Sequence, residues 1–421
     1  MAGAVNTNRD FQQLRGIALY DSQKDSFVTS LEPFAAVEAG IRALPLLSER
    51  YGVEQSHRIA LQLVYEYFAR AQRLVLDSAL VDALWTDFVA ELEAPTWLTR
   101  CVTNLRYFHC EDLQVTLGDG VSICGRDPAV LADLGFGAGI VASLSVDWSG
   151  FGASPFVMVA EYSLSKQPEN FIRLDDGGGW QRCWRAIGAL RLIAAGAVGI
   201  GAVFPQRVAR FNVGIGGIQS YGRSVDTLGS PYEWRRPYSL EYAEAYKALA
   251  RLEKSGYGKA PGNLDLALRA FMSTYDRFPT ATDTQLVDAI TSLEAVLGSE
   301  TEIAFKLSFR VASLLAATDE QRATMLKTVK GFYDARSRIV HGAHLRTKHR
   351  ASLAAVDDLR DLVRRLLRSF VLFAADDARH VDKKFFKEDL DAALVDANRR
   401  DKLRRLLGLS GSRSSSDAPG S

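Results

Sequence analysis

An excess of either charge is missing: 51 Lys and Arg face 50 Asp and Glu in 421 residues. A chain so balanced does not announce a polyanionic partner by its overall charge, and any such site has to be a local patch. Cysteine is sparse. Cys101, Cys110, Cys124 and Cys183 contain no C-x-x-C pair, and their separations of 9, 14 and 59 residues match no zinc-ligand spacing. The opening Met-Ala-Gly-Ala-Val-Asn does not read as a signal peptide, so the four are expected to be reduced and buried in a cytoplasmic protein. Long apolar runs are also lacking. The most apolar stretch, 192–204, has 13 residues, where a bilayer span needs about 20, so no membrane role is expected.

Histidine is scarce too, at six residues. Three of them, His341, His344 and His349, fall within HGAHLRTKH, but their neighbours there are cations rather than acids or cysteines. A metal site is therefore not expected, and neither is a cofactor. The glycine clusters GFGAG (135–139), GAVGIG (196–201) and GIGG (214–217) resemble fragments of phosphate loops. None is G-x-x-x-x-G-K-[ST], and none completes strand, G-x-G-x-x-G, helix and distal acid, so they read as turns and tight strand contacts. G-x-S-x-G, H-E-x-x-H and a kinase-like set are absent, which leaves a metabolic enzyme in the middle region without support.

What remains is ordinary for a globular protein: 47% hydrophobic, 24% charged and 10% aromatic. That excludes disorder throughout, collagen and disulfide-dense scaffolds. At roughly 150 residues per domain, two or three domains are expected. Residues 1–95 form an N-terminal helical region. Within it Ile59, Leu63, Tyr67 and Ala71 make an apolar stripe, and Ser78 stands where a cap for the next helix is needed. Residues 96–239 form a mixed, strand-rich domain. LQVTL (113–117), VSIC (121–124) and FVMVAEYSL (156–164) are its strands, GDG and DDGGG its turns, and 180–193 one crossing helix. Its tryptophans, Trp180, Trp184 and Trp234, read as packing residues.

Residues 240–407 return to helical periodicity as a bundle. Leu286, Ile290, Leu293 and Leu297 line one helix that stops at Gly298, and 302–316 follow as another. Thr318 and Gln321 have capping-box spacing at the head of a helix ending at Gly342, and 352–375 read as one long amphipathic helix. The tail 408–421 is Ser/Gly-rich and expected to be disordered. The fold class is α+β, mostly α.

One patch breaks the charge balance. Residues 321–350 carry eight Lys and Arg against Asp334 alone, a net +7 in a chain of net +1. A solvated helix face usually mixes signs, so a one-sign patch with histidines suits a polyanion. Inside it, Arg336 and His341 are separated by four residues. An ideal helix turns about 100° per residue and would splay them by about 140°. Either the last turn tightens or unwinds before Gly342, or a second copy of the helix completes the site.

An imidazole and a guanidinium suffice for RNA cleavage without a metal. A base takes the proton of the ribose 2′-hydroxyl, which attacks the adjacent phosphate, and an acid protonates the leaving 5′-oxygen. Imidazole suits both transfers, because its ordinary pKa of about 6.5 lies near neutrality. The planar guanidinium meets two phosphoryl oxygens and neutralises the charge building on them. DNA, lacking the 2′-hydroxyl, is spared.

The segments LVDAITSLEAVLG, TEIAFKLSFRVASLL and YDARSRIVHG, in this order and spacing, resemble the Apea-like branch of the HEPN superfamily. The resemblance covers about residues 264–373, with a weaker echo in FVMVAEY and ALRLIAAGAVGIG. It implies a four-to-five-helix bundle whose active members are metal-independent endoribonucleases, often toxins or antiviral effectors. Arg336 and His341 match the family's R-x4-6-H pair, which many members follow with Asn, Asp or His after the Arg; here Ser337 stands there. It also implies a homodimer through the C-terminal bundle.

Supporting positions are Asp334, which would orient His341 or form a surface ion pair with Arg338, and Ser337. Arg310 and Glu294 interrupt apolar stripes, either facing the site or sitting at a helix edge. Lys330, Arg338, His344, Arg346 and Lys348 either grip RNA phosphates or are simply solvated. The expected function is an endoribonuclease acting on RNA, tRNA by family analogy, in abortive infection, with residues 1–260 binding an unidentified trigger. The alternative is a non-catalytic HEPN module that binds RNA or nucleotide, or dimerises.

Overall fold

The computed structural model describes residues 29, 34–45, 56–71, 77–112, 114–125, 155–165, 178–207, 230–257, 263–277, 280–298, 302–376 and 383–409. GFGAG, GIGG and nearly all of the tail lie outside these residues. The fold is mostly helical, with 13 helices and one small sheet among the described residues. The chain divides into two compact units that interleave along the sequence. One takes Met1–Asn104, Leu113–Cys183 and Gly201–Arg223; the other takes Leu105–Asp112, Trp184–Ile200 and Ser224–Ser421. The divisions at 95/96 and 239/240 follow texture along the chain, whereas the units follow packing.

In the first unit, α1 (Phe34–Arg42) packs on α2 (Ser56–Ala71), and α2 on α3 (Ser78–Glu93). Ile59, Leu63 and Tyr67 are buried along α2. The cap of α3 is Asp77 rather than Ser78: its carboxylate accepts from the Leu80 N–H at 3.2 Å. A carboxylate at a helix start also meets the positive end of the dipole, which a Ser one position later cannot do.

The strands are β1 (Thr96–Arg106), β2 (Phe108–His109), β3 (Gln114–Gly118), β4 (Val121–Gly125), β5 (Phe156–Ser165), β6 (Gly199–Arg207) and β7 (Tyr232–Glu233), with helix α4 (Gly178–Ile193) after β5. Five of them form a sheet in the order β3-β4-β5-β1-β6. β5 pairs antiparallel with both β4 and β1. Phe156 to Ala160 are all buried, as an inner strand requires, while edge strand β3 alternates exposed and buried. All four cysteines are buried thiols. Burial pushes Cys124 up to about 11.

The second unit holds α5 (Tyr238–Lys254), α6 (Leu264–Ser273), α7 (Thr282–Leu297), α8 (Ile303–Leu315), α9 (Asp319–Val340), α10 (Thr347–Ala354), α11 (Val356–Ala375), α12 (Lys383–Val395) and α13 (Ala397–Leu406). α7 packs against α6, α9 and α11, and α8 packs against α9, α12 and α13. Leu286, Ile290, Leu293 and Leu297 are fully buried. The stretch 352–375 is two helices, not one, with the break at Ala355 (φ −99°, ψ 23°). α10 buries only His349 while α11 buries a broad apolar face from Val356 to Ala375. One straight rod cannot present both.

Within this unit β2 pairs parallel with β7, stacking Phe108 on Tyr232. Gly196 approaches that ladder closely: a Cβ there would lie 2.5 Å from the Tyr232 Cα. The GAVGIG cluster is thus a tight backbone contact at its first glycine. Arg191, fully buried, donates to the carbonyls of Val198 and Met272 and pairs with Asp276, tying α4 to α6.

Candidate functional site

α9 begins and ends as its sequence dictates. Thr318 accepts from the Gln321 N–H at 3.2 Å and Gln321 Oε1 accepts from the Thr318 N–H at 3.3 Å, a complete capping box. At the other end the Gly342 N–H donates to Ile339 and the Ala343 N–H to Arg338, with Gly342 at φ +63°. This is the Schellman closure, and its left-handed position is why glycine stands there. The helix is regular through Val340 and His341 is its C-cap. The terminal turn therefore does not unwind before His341, and Arg336 and His341 leave the axis about 140° apart.

Their surroundings differ accordingly. His341 is exposed at the helix end. Arg336 turns toward α7, where its Nη2 donates to Glu294 Oε2 at 3.2 Å, with side chains 24% and 21% exposed. Its guanidinium lies 6.0 Å from the Tyr333 ring centre, one turn back on α9. Its Nε is buried and has no acceptor among the described residues. The Tyr333 hydroxyl donates to Glu294. Burial holds the Glu294 carboxyl above the usual carboxylate range, partly offset by Arg336 and Tyr333. The Tyr333 phenol is raised by burial and by the Glu294 charge. Arg336, Glu294 and Tyr333 thus form one cluster, with His341 beyond it. Tyr333 was missed at the sequence level, although its i−3 spacing from Arg336 places it on the same face.

The other sequence-selected residues scatter around this core. Arg310, 2% exposed, donates to the carbonyls of Leu297 (2.6 Å) and Gly298 (3.0 Å) and through Nε to Asp391 (3.1 Å). It closes the C-terminus of α7 and makes no hydrogen bond to Arg336 or His341. Asp334 meets Lys348 at 3.9 Å rather than Arg338 or His341. Arg338 donates to the His344 carbonyl at 3.3 Å and so braces the loop after His341. Ser337 accepts the His341 N–H through its carbonyl. Lys330, His344, Arg346 and Lys348 are exposed.

His349 was counted in the sequence but given no role. It is 2% exposed, and its Nδ1 accepts from the Arg346 N–H at 3.1 Å. That bond needs the neutral ring with its proton on Nε2. Burial, then Arg338, Lys348 and Arg346, hold its pKa below the ordinary histidine value against the weaker pull of Asp334.

Among the described residues no group of three or more His, Cys, Asp and Glu could hold a metal ion, and no helix is long and apolar enough to cross a membrane. The chain matches no protein-family model, no curated protein and no solved structure.

Proposed function

We propose that this protein is a metal-independent endoribonuclease of HEPN type. The observation that carries the reading is an exposed histidine, His341, at the end of a helix whose flanking residues 321–350 have a net charge of +7. One imidazole takes the 2′-hydroxyl proton. The 2′-oxygen bonds to phosphorus, and the 5′-oxygen leaves with a proton from a second acid, yielding a 2′,3′-cyclic phosphate and a 5′-hydroxyl. Arg336 neutralises the phosphoryl oxygens once substrate draws it from Glu294. Lys330, Arg338, His344, Arg346 and Lys348 hold the strand.

The 140° divergence of Arg336 and His341 in one chain favours a homodimer through the bundle, in which two pairs share a cleft and each histidine finds its arginine in the other copy. The cell context that fits is cytoplasmic, a toxin or anti-phage effector of abortive infection with tRNA or other RNA as target, restrained by a trigger bound within residues 1–260.

A second reading, a non-catalytic HEPN module, is favoured by the ion pair that keeps Arg336 on Glu294. Expression in a bacterial host separates the two. The wild type should arrest growth and degrade RNA, whereas Arg336→Ala and His341→Ala should do neither. Identical behaviour of all three would leave only the binding module.

A further inference from the structure

The opposite end of the bundle carries a second concentration of positive charge. From Arg399 to Arg405, α13 presents Arg399, Arg400, Lys402, Arg404 and Arg405 against Asp401 alone, a net +4 in seven residues. Arg400 and Arg404, spaced i and i+4, share one face, where like charges repel. Neither guanidinium has a carboxylate partner among the described residues. Each meets only a backbone carbonyl at 3.4 Å, of Ala393 and Leu409 respectively, and the Nε of each is buried with no acceptor. Arg322, in the first turn of α9, lies close enough to feel both. Burial and these two cations lower its pKa, while Asp401 acts the other way and Asp319 pairs with it.

Three arginines gathered with so few counter-charges and two orphaned donors form an arrangement that a bound anion would complete. Arg322 also has a fixed relation to Arg336. Fourteen residues along α9 place it about 21 Å away and within about 40° of the same helix face. At roughly 3.4 Å per stacked step, that distance takes about six nucleotides.

We propose that Arg322, Arg400 and Arg404 form a phosphate-binding site for the backbone of an RNA strand, about 21 Å along α9 from Arg336. The site rests on the ribonuclease reading for the nature of its ligand. It adds to that reading a minimum substrate length: strands shorter than about six nucleotides cannot occupy both ends.

The test uses the full chain and uncleavable 2′-O-methyl RNA of four and twelve nucleotides, with Kd measured against salt. Arg400→Gln/Arg404→Gln should weaken 12-mer binding about tenfold and reduce the salt slope by about 1.4, the contribution of two single-strand phosphates, while leaving the 4-mer unchanged. Arg400→Lys/Arg404→Lys, which keeps the charges, should keep the wild-type slope; an equal loss in the Lys pair would assign the effect to folding and overturn the proposal. So would a wild-type 12-mer slope in the Gln pair, or equal losses for both lengths. A wild type that binds neither RNA would defeat the ribonuclease reading itself. RNA binding untouched while binding to phosphatidylserine-containing vesicles is lost would assign the cluster to lipid headgroups and also overturn it.

Discussion

Arg336 and Glu294, 42 residues apart in sequence, stand 3.2 Å from each other across α9 and α7, with the Tyr333 hydroxyl also on the Glu294 carboxylate. The residue proposed to meet a phosphate thus already holds an anion. RNA has to compete with Glu294 for that guanidinium.

Removing the competitor should strengthen binding. Glu294→Gln is expected to tighten Kd for uncleavable RNA about fivefold, roughly 1 kcal/mol. The Glu294 carboxyl lies above its ordinary range, so acid neutralises it early. The wild type should therefore approach the variant as pH falls toward that raised value, and the gap should be full at pH 8. Fluorescence anisotropy across this range checks both; a pH-independent gap would contradict the assignment.

Arg310 should behave as a structural residue. Arg310→Ala leaves the carbonyls of Leu297 and Gly298 without their donor, at a cost on the order of 3 kcal/mol. Arg338→Ala, losing one longer contact to an exposed loop, should cost less than about 1 kcal/mol. Urea midpoints at constant m separate these outcomes.

His349 gives stability an acid limit. Its folded pKa is below the ordinary 6.5, so the unfolded chain takes up a proton first as pH falls. The stability of the neutral ring is full above about pH 6.5 and is lost progressively below it. His349→Gln, which does not titrate, should show a smaller drop in Tm between pH 7.5 and 5.5 than the wild type. Equal drops would mean the ring does not titrate in this range.

If two copies share a cleft, inactive variants should rescue each other. A mixture of Arg336→Ala and His341→Ala chains contains heterodimers with one intact composite site. Co-refolded at equal amounts, half the dimers are mixed, and activity should return to about a quarter of the wild-type level. No recovery would place both residues in one chain's site.

Much of the bundle was legible because local signals decide local structure. Thr318 with Gln321 fixed the start of α9 and Gly342 its end, and the 3.6-residue stripe of Leu286, Ile290, Leu293 and Leu297 fixed the buried face of α7. The strands 114–118, 121–125 and 156–165 followed from β-prone runs between glycine turns. Asp77 was passed over because Ser78 is an equally good capping type. The break at Ala355 escaped notice because neither glycine nor proline marks it; it arises from the different partners of α10 and α11. The Arg336–Glu294 pair and the role of Arg310 at the end of α7 depend on contacts between distant segments, which no periodicity reveals. The +7 patch was legible as charge, but the position of Arg336 within it was not.

The chemistry of the cut ends tests the central claim most directly. Purified protein is incubated with RNA in EDTA and the products are analysed by mass spectrometry. The account predicts 2′,3′-cyclic phosphate and 5′-hydroxyl ends, absent with His341→Ala; 3′-hydroxyl ends, or cleavage undiminished in that variant, would contradict it.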